Sequence, residues 1–186
     1  MVAVTTRLWL VRHGATDWSE AGRFNGWTDV SLNELGRRQS ERLREHLRAT
    51  KFDGIWSSDL VRATETARLA AGDAVTDRRL REIDFGALEG LTWAECPARV
   101  REALVAFEGF EAPGGESVGD LRARVLDFAG GLSHGDHLVV THGGVIRVLS
   151  RAAGRDAQVE PGNLLRVSRD ASGGFVLDAF ESRDTG

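Results

Sequence analysis

The stretch Leu10-Val11-Arg12-His13-Gly14 decides the reading of the fold. The apolar run over 8–11 reads as a buried strand, so Arg12 and His13 stand at its carboxyl end. In open α/β sheets that edge is where ligands bind. A guanidinium beside an imidazole is costly to leave unpaired there, so an anion is expected to fill the gap. The same grammar returns at Leu138-Val139-Val140-Thr141-His142-Gly143-Gly144, an apolar strand followed by histidine and glycine. Two such strand ends can bring two histidines into one pocket.

On either side of these two strand ends, elements alternate in type. Residues 2–6 read as a loose lead-in, and 7–11 as the first strand. Residues 15–33 mix Gly22, Gly26, Asp29 and Ser31 with Trp18, Phe24 and Trp27, a long ordered loop of the kind that carries function. A helix is expected over 33–49, with Leu35, Leu43 and Leu47 on its apolar face and Arg37, Arg38, Arg42, Arg44 and Arg48 solvated. A short strand at 54–56 precedes an alanine-rich helix at 60–71 and a third short strand at 74–76. Residues 80–90 are irregular. The segment 93–107 is helical, with Pro97 breaking or starting it. Ser117-x-x-Asp120 resembles a capping box for a helix to about Leu132. A strand at 137–140 and a helix at 145–153 follow. Strands at 164–168 and 174–180, joined through Ala171-Ser172-Gly173-Gly174, form a hairpin. This alternation predicts an α/β three-layer sandwich: a mostly parallel central sheet, helices on both faces and an antiparallel C-terminal edge. No repeat or linker divides residues 1–186, so one domain is expected.

Bulk composition narrows the function. The chain has 186 residues, 41% hydrophobic and 28% charged, an ordinary globular balance with length enough for a sizeable core. Its formal net charge of −4 gives no global field for nucleic acid, so any anion site is local. Cys96 is the only cysteine, which excludes a disulfide framework and a cysteine-rich zinc site and is compatible with the cytoplasm. No apolar run approaches the roughly 18 residues of a membrane span, and no signal peptide is evident.

His13 is the candidate nucleophile, because a neutral imidazole nitrogen can attack phosphorus and hold the phosphoryl group covalently. Arg12 supplies charge beside it and Gly14 permits close backbone approach. Arg62 falls in the first turn of the 60–71 helix, where a cation is mismatched to the helix terminus. Either a shared anion resolves the mismatch, or Arg62 is a surface residue paired with Asp59 or Glu65. A phosphate ester needs a proton on its leaving oxygen, and Glu82, Asp84 and Glu89 compete for that role in 80–90; on these residues alone a solvated acidic loop is the favoured reading. His142, followed by two glycines and a helix, either donates to a phosphate oxygen as a cation or is a satisfied core histidine; its pairing with the His13 pattern favours the first. No His-x-x-x-His or Cys-x-x-Cys pair occurs, and flanking arginines would repel a metal, so no metal or other cofactor is expected. His46, His134 and His137 read as solvent-facing.

Together these segments resemble the histidine phosphatase superfamily, in its phosphoglycerate-mutase-like branch. The matching pieces are Leu-Val-Arg-His-Gly-Ala-Thr at 10–16, Gly-Arg-Phe-Asn-Gly-Trp-Thr-Asp at 22–29 and Leu-Asn-Glu-Leu-Gly at 32–36. Downstream stand Ser-Ser-Asp-Leu-x-Arg-Ala-x-x-Thr-Ala at 57–67, Leu-Arg-Glu at 80–82, Phe-Gly-Ala-Leu-Glu-Gly at 85–90, Gly-Gly-Glu-Ser at 114–117 and Thr-His-Gly-Gly at 141–144. The resemblance implies that His13 becomes phosphorylated, while Arg12, Arg62 and His142 hold the phosphoryl oxygens. Glu82 would protonate the leaving group and then help activate water. Asn25 and Gly26 would line the rim, Gly143 would join the substrate contacts, and Ser19 stands where the family often has asparagine.

Mutase members usually have tyrosine at the position of Phe85, lysine at that of Trp93, and an inserted basic segment; between Glu95 and Gly114 this chain offers only Arg99 and Arg101. The resemblance therefore implies a phosphomonoesterase acting on a small phosphorylated metabolite. A phosphoglycerate mutase is the alternative, and a non-catalytic phosphate-binding module the third reading. Trp18, Trp27, Phe85, Trp93 and Phe107 are expected to build an apolar wall for a ring-bearing leaving group, with α-ribazole 5′-phosphate and sugar phosphates as candidates. A homodimer paired through a sheet edge is compatible with the pattern.

Overall fold

The computed structural model describes residues 5–181. The strands are β1 (Thr6–Arg12), β2 (Gly54–Ser57), β3 (Val75–Thr76), β4 (Gly135–Thr141), β5 (Leu164–Arg169) and β6 (Phe175–Glu181). The helices are α1 (Asp17–Glu20), α2 (Glu34–Leu47), α3 (Val61–Ala70), α4 (Ala98–Ala106), α5 (Val118–Gly130) and α6 (Gly143–Ala152). Six strands form one sheet in the order β3-β2-β4-β1-β5-β6. The first four are mutually parallel, and β5 and β6 run antiparallel at one edge, as the alternation of elements predicts.

Both faces of the sheet are covered. Along β1, Leu8 and Leu10 face a core shared with Leu121, Val125 and Phe128 of α5 and Ile146 and Leu149 of α6. Trp9 and Val11 point to the opposite core, built with Leu43 and Leu47 of α2 and Ala63, Ala67 and Ala70 of α3. Strand β4 repeats this, with Val139 on one side and Leu138 and Val140 on the other. A strand buried on both faces needs apolar residues at every position, which is why β1 and β4 read as unbroken apolar runs.

Several expectations are corrected in detail. The lead-in over 2–4 lies outside the described residues, but Thr6 is already in β1 and fully buried. The buried stripe of α2 is Gly36, Ser40, Leu43 and Leu47, with Leu35 only half-buried. Its small residues let the helix approach the chain after β1: a Cβ at Gly36 would run into the Ala15 carbonyl oxygen. His137 is 3% exposed rather than solvent-facing. It sits in a strand flanked on both sides, where Trp56 Nε1–H donates to its Nδ1 (3.2 Å) and its Nε2–H donates to the Ser133 carbonyl (3.0 Å). His134 is exposed and His46 half-buried. Pro97 precedes α4, which ends at Phe107 in the left-handed region (φ 53°). The capping box of Ser117 and Asp120 starts α5. Among the described residues no helix is long and apolar enough to cross a membrane.

Candidate active site

Parallel pairing of β1 with β4 sets Arg12 opposite Thr141, so His13 and His142 leave the sheet side by side. Their ring centroids lie 5.1 Å apart. The crossover from β1 to β2 carries α2 on one face, and that from β4 to β5 carries α6 on the other. The crevice lies where the two part, the topological switch point of the sheet.

His13 is held from several directions. Its backbone N–H extends the ladder to the Thr141 carbonyl (2.9 Å), and the Gly162 N–H donates to the carbonyls of Arg12 (3.1 Å) and His13 (3.2 Å). A carbonyl only accepts, so the 2.7 Å contact between His13 Nδ1 and the Gly14 oxygen places the ring proton on Nδ1 and leaves the lone pair on Nε2. The Gly14 peptide is itself fixed: its N–H donates to Thr66 Oγ1 (3.0 Å), which donates to the Arg62 carbonyl (2.7 Å). Burial first, then Arg62 and Arg12, hold His13 well below the ordinary imidazole pKa. The ring is therefore neutral, as a nucleophile requires.

Arg62 is fully buried. The 22–33 loop wraps around it: Nη1 donates to the Thr28 carbonyl (3.1 Å), and Nη2 donates to those of Asn25 (3.1 Å) and Gly26 (2.6 Å). The surface alternative does not hold, because Asp59 pairs with Arg81 (2.6 Å) and Glu65 with Arg37 (2.8 Å). Burial lowers the Arg62 pKa to about 10, so the side chain stays cationic at neutral pH. Arg12 donates from Nη1 to the Val159 carbonyl (2.8 Å). The Nε groups of both arginines, both ring nitrogens of His142 and Asn25 Oδ1 are buried with no protein partner. The two guanidinium Nε–H groups and the one N–H of His142 are donors without a protein partner at one strand edge, chemistry suited to an oxyanion, whereas Asn25 Oδ1 is an acceptor.

Of the three competing carboxylates, Glu82 alone lines the adjoining cavity together with Arg12, Gly143 and Gly144. Its carboxylate accepts from the N–H groups of Ile83 (2.9 Å) and Gly144 (3.1 Å), at the amino terminus of α6. A Cβ at Gly144 would run into Glu82 Oε1, so a side chain there would displace the carboxylate from its present position. Asp84 instead accepts from the Gly86 N–H (2.9 Å), and Glu89 binds the N–H groups of Trp27 (2.6 Å) and Thr28 (2.7 Å). Both acids thus stitch loops.

The Glu82 loop is strapped by residues for which sequence reasoning named no role. Arg124 Nη2 donates to the Glu82 carbonyl (2.9 Å), and Nη1 donates to those of Arg79 (2.7 Å) and Arg81 (2.6 Å). Its other edge pairs with Glu116 through two bonds of 2.6 and 2.7 Å. Glu116 belongs to the Gly-Gly-Glu-Ser segment, so a signal for it existed; Thr66, Val159 and Gly162 left none beyond the 57–67 segment.

Ser19 lies in α1, where its hydroxyl accepts from the Thr16 N–H (2.9 Å) and donates to the Thr16 carbonyl (2.9 Å). Gly143 stands against the Arg12 guanidinium. Of the expected apolar wall, Phe85, Trp93 and Phe107 line the cavity, joined by Phe24, which the sequence reading placed only in the loop. Trp27 instead lies against Arg81 (4.9 Å) and donates to the Glu82 carbonyl, and Trp18 packs at Gly90. Among the described residues, no group of three His, Cys, Asp or Glu side chains could hold a metal ion.

Burial and the arginines hold His142 as they hold His13, well below the ordinary imidazole value. Between that depressed pKa and the unfolded value of about 6.5, the unfolded chain binds more protons, so stability falls as pH drops. Each histidine contributes a slope approaching about 1.4 kcal/mol per pH unit in that window. Denaturant titrations from pH 7.5 to 5 are expected to show this loss, with a shallower slope in His142→Gln. An unchanged slope in the variant would show that His142 is not buried in its neutral form.

A family model of the histidine phosphatase superfamily (branch 1) matches residues 8–172. The chain is 34% identical over 189 residues to a metal-independent phosphoserine phosphatase of Arabidopsis thaliana, covering 94% of this chain and 74% of that protein. The structure of phosphoglycerate mutase from Thermus thermophilus superposes with a TM-score of 0.86 at 42% identity, covering 96% of this chain and 100% of that one. A protein of Escherichia coli K-12, proposed to be an alpha-ribazole-5′-P phosphatase, superposes with a TM-score of 0.82 at 27% identity over 97% of this chain and 98% of its own. The match runs from β1 to the turn that joins β5 and β6, and on it this chain belongs to the histidine phosphatase superfamily, branch 1.

Proposed function

We propose that the protein is a metal-independent phosphomonoesterase that works through a phosphohistidine on His13. Its substrate is a small phosphorylated metabolite in the cytoplasm, with α-ribazole 5′-phosphate and sugar phosphates as the candidates. The observation that carries the reading is a neutral His13, its proton fixed on Nδ1, beside the buried Arg62 and the half-buried Arg12, whose Nε atoms are buried with no protein partner.

In this reading, Nε2 of His13 attacks phosphorus and the bond to the leaving oxygen breaks. Glu82 supplies the proton that oxygen needs. Water then attacks the phosphohistidine, Glu82 takes the proton back, and the N–P bond breaks to release phosphate. Arg12 and Arg62 hold the phosphoryl oxygens, preorganised by bonds to backbone carbonyls that cost no rearrangement during transfer. A phosphate dianion beside His142 opposes the arginines and raises its pKa, turning it into a donor as substrate binds. Asn25, Gly26 and Gly143 frame the phosphoryl group. Ser19 contributes through α1, since its hydroxyl is engaged by Thr16.

The second reading is a cofactor-dependent phosphoglycerate mutase, favoured by the likeness to the Thermus thermophilus enzyme. Against it stand Phe85 and Trp93, apolar where mutases usually carry tyrosine and lysine. The experiment is phosphate release from a panel of phosphomonoesters with a chelator present, including 3-phosphoglycerate with its bisphosphate primer. Chelator-resistant release supports the phosphatase, and dominant isomerisation makes the protein a mutase. Binding of phosphate without turnover on any ester leaves the non-catalytic module.

A further inference from the structure

The crevice opens into a cavity of about 390 Å³ on the leaving-group side. Its lining carries two cations, Arg12 and Arg147. Arg12 serves the phosphoryl group in the reading above, on which this inference rests. Arg147 is engaged elsewhere: Nε and Nη2 donate to the Asp156 carboxylate (2.6 and 2.7 Å). Nη1 donates to the Leu104 carbonyl (2.9 Å) and Nη2 also to that of Val105 (2.7 Å). Its guanidinium lies 4.4 Å from the Phe107 ring centre. The bond to Arg147 holds the Asp156 carboxyl below its ordinary pKa. Arg151 stands 3.9 Å from the same carboxylate and pairs with Glu108 (3.3 Å), so two arginines and two carboxylates balance there.

We infer that Asp156, by neutralising Arg147, makes this cavity select uncharged, ring-bearing leaving groups and reject esters that carry a second anionic group. Phe24, Phe85, Trp93 and Phe107 offer aromatic faces and edges to a ring. A second carboxylate or phosphate would lose its hydration there and meet no uncommitted cation. Glu82, the other charged group of the lining, would repel it. Asp156 is a positioning residue: it acts on substrate choice through Arg147. Asp156→Asn removes the counter-charge and one of the two bonds, while the remaining amide oxygen still accepts the other; Arg147 is left with an unbalanced positive charge toward an incoming carboxylate, and the selectivity shifts.

The test compares kcat/KM for benzyl phosphate, 4-carbamoylbenzyl phosphate and 4-carboxybenzyl phosphate. The carbamoyl ester matches the carboxyl ester in shape without its charge. The wild-type protein is expected to disfavour the carboxyl ester relative to the carbamoyl ester by about tenfold or more. In Asp156→Asn that ratio is expected to shrink by about fivefold or more, and adding Arg147→Met in the same chain is expected to restore it. Equal wild-type kcat/KM for the carboxyl and carbamoyl esters would overturn the inference alone, whatever the variants do. So would an unchanged ratio in an Asp156→Asn protein that melts cooperatively. No phosphate release from any of the three esters would overturn the phosphatase reading, and the inference with it.

Discussion

His13→Ala is expected to lower phosphate release by on the order of 10⁴-fold or more while the protein stays folded. The loss is large because the imidazole forms the covalent intermediate, and no neighbour can replace it. His142 is 5.1 Å away between ring centres, but it follows a different strand and begins α6. The fold tolerates the change: β1 ends before the ring, and the bonds that fix its backbone come from Thr141 and Gly162. What is lost is one hydrogen bond to the Gly14 carbonyl and a buried ring, about 1–3 kcal/mol together. Acid-quenched protein after brief exposure to a labelled phosphomonoester is expected to carry acid-labile, base-stable phosphate in the wild type and none in the variant. Turnover within about 100-fold of wild type would remove His13 from the nucleophile's role.

Glu82→Gln is expected to cost about 10² to 10³-fold in kcat/KM on an alkyl phosphate and less than about tenfold on 4-nitrophenyl phosphate. An alkoxide leaves only with a proton, whereas nitrophenolate leaves without one. Glutamine can still accept the Ile83 and Gly144 N–H bonds through its amide oxygen, so the loop and the start of α6 keep their geometry. The variant also lacks the base for the water step, so phosphoenzyme accumulates and nitrophenol appears in a burst near one equivalent. The same loss on both esters would show that Glu82 acts through charge or position rather than by moving the proton.

Most elements of this fold were legible because they are written in local sequence; the single turn of α1 (Asp17–Glu20) falls inside the segment that reads as the 15–33 loop. β1 and β4 show as apolar runs, since both their faces are buried. The capping box at Ser117 marks the start of α5, and the 171–174 turn marks the final hairpin. The polar termini of β1 and β4 pointed to a ligand edge, and the ordered segments pointed to a family. What stayed hidden depends on where a residue lies relative to distant chain. Leu35 and Gly36 are adjacent in sequence, and only the close approach of Ala15 decides which one faces the core. His137 reads as polar and solvated until β1 and β2 close on either side of β4.

The candidate site divides in the same way. Local sequence carries which residue types end β1 and β4, that Arg62 lies in the first turn of a helix, and that acids crowd the 80–90 loop. Tertiary structure alone decided that β1 and β4 are neighbours, so that two histidines meet. It turned Arg62 inward onto the carbonyls of the 22–33 loop, separated Glu82 from Asp84 and Glu89, and supplied Arg124, Glu116 and Asp156 as the groups that hold the others in place. Local periodicity records how a segment is buried. The partner of a charge is settled by contacts between segments far apart in the chain, which give Arg147 a carboxylate and Arg62 only backbone carbonyls, and no local pattern records that pairing.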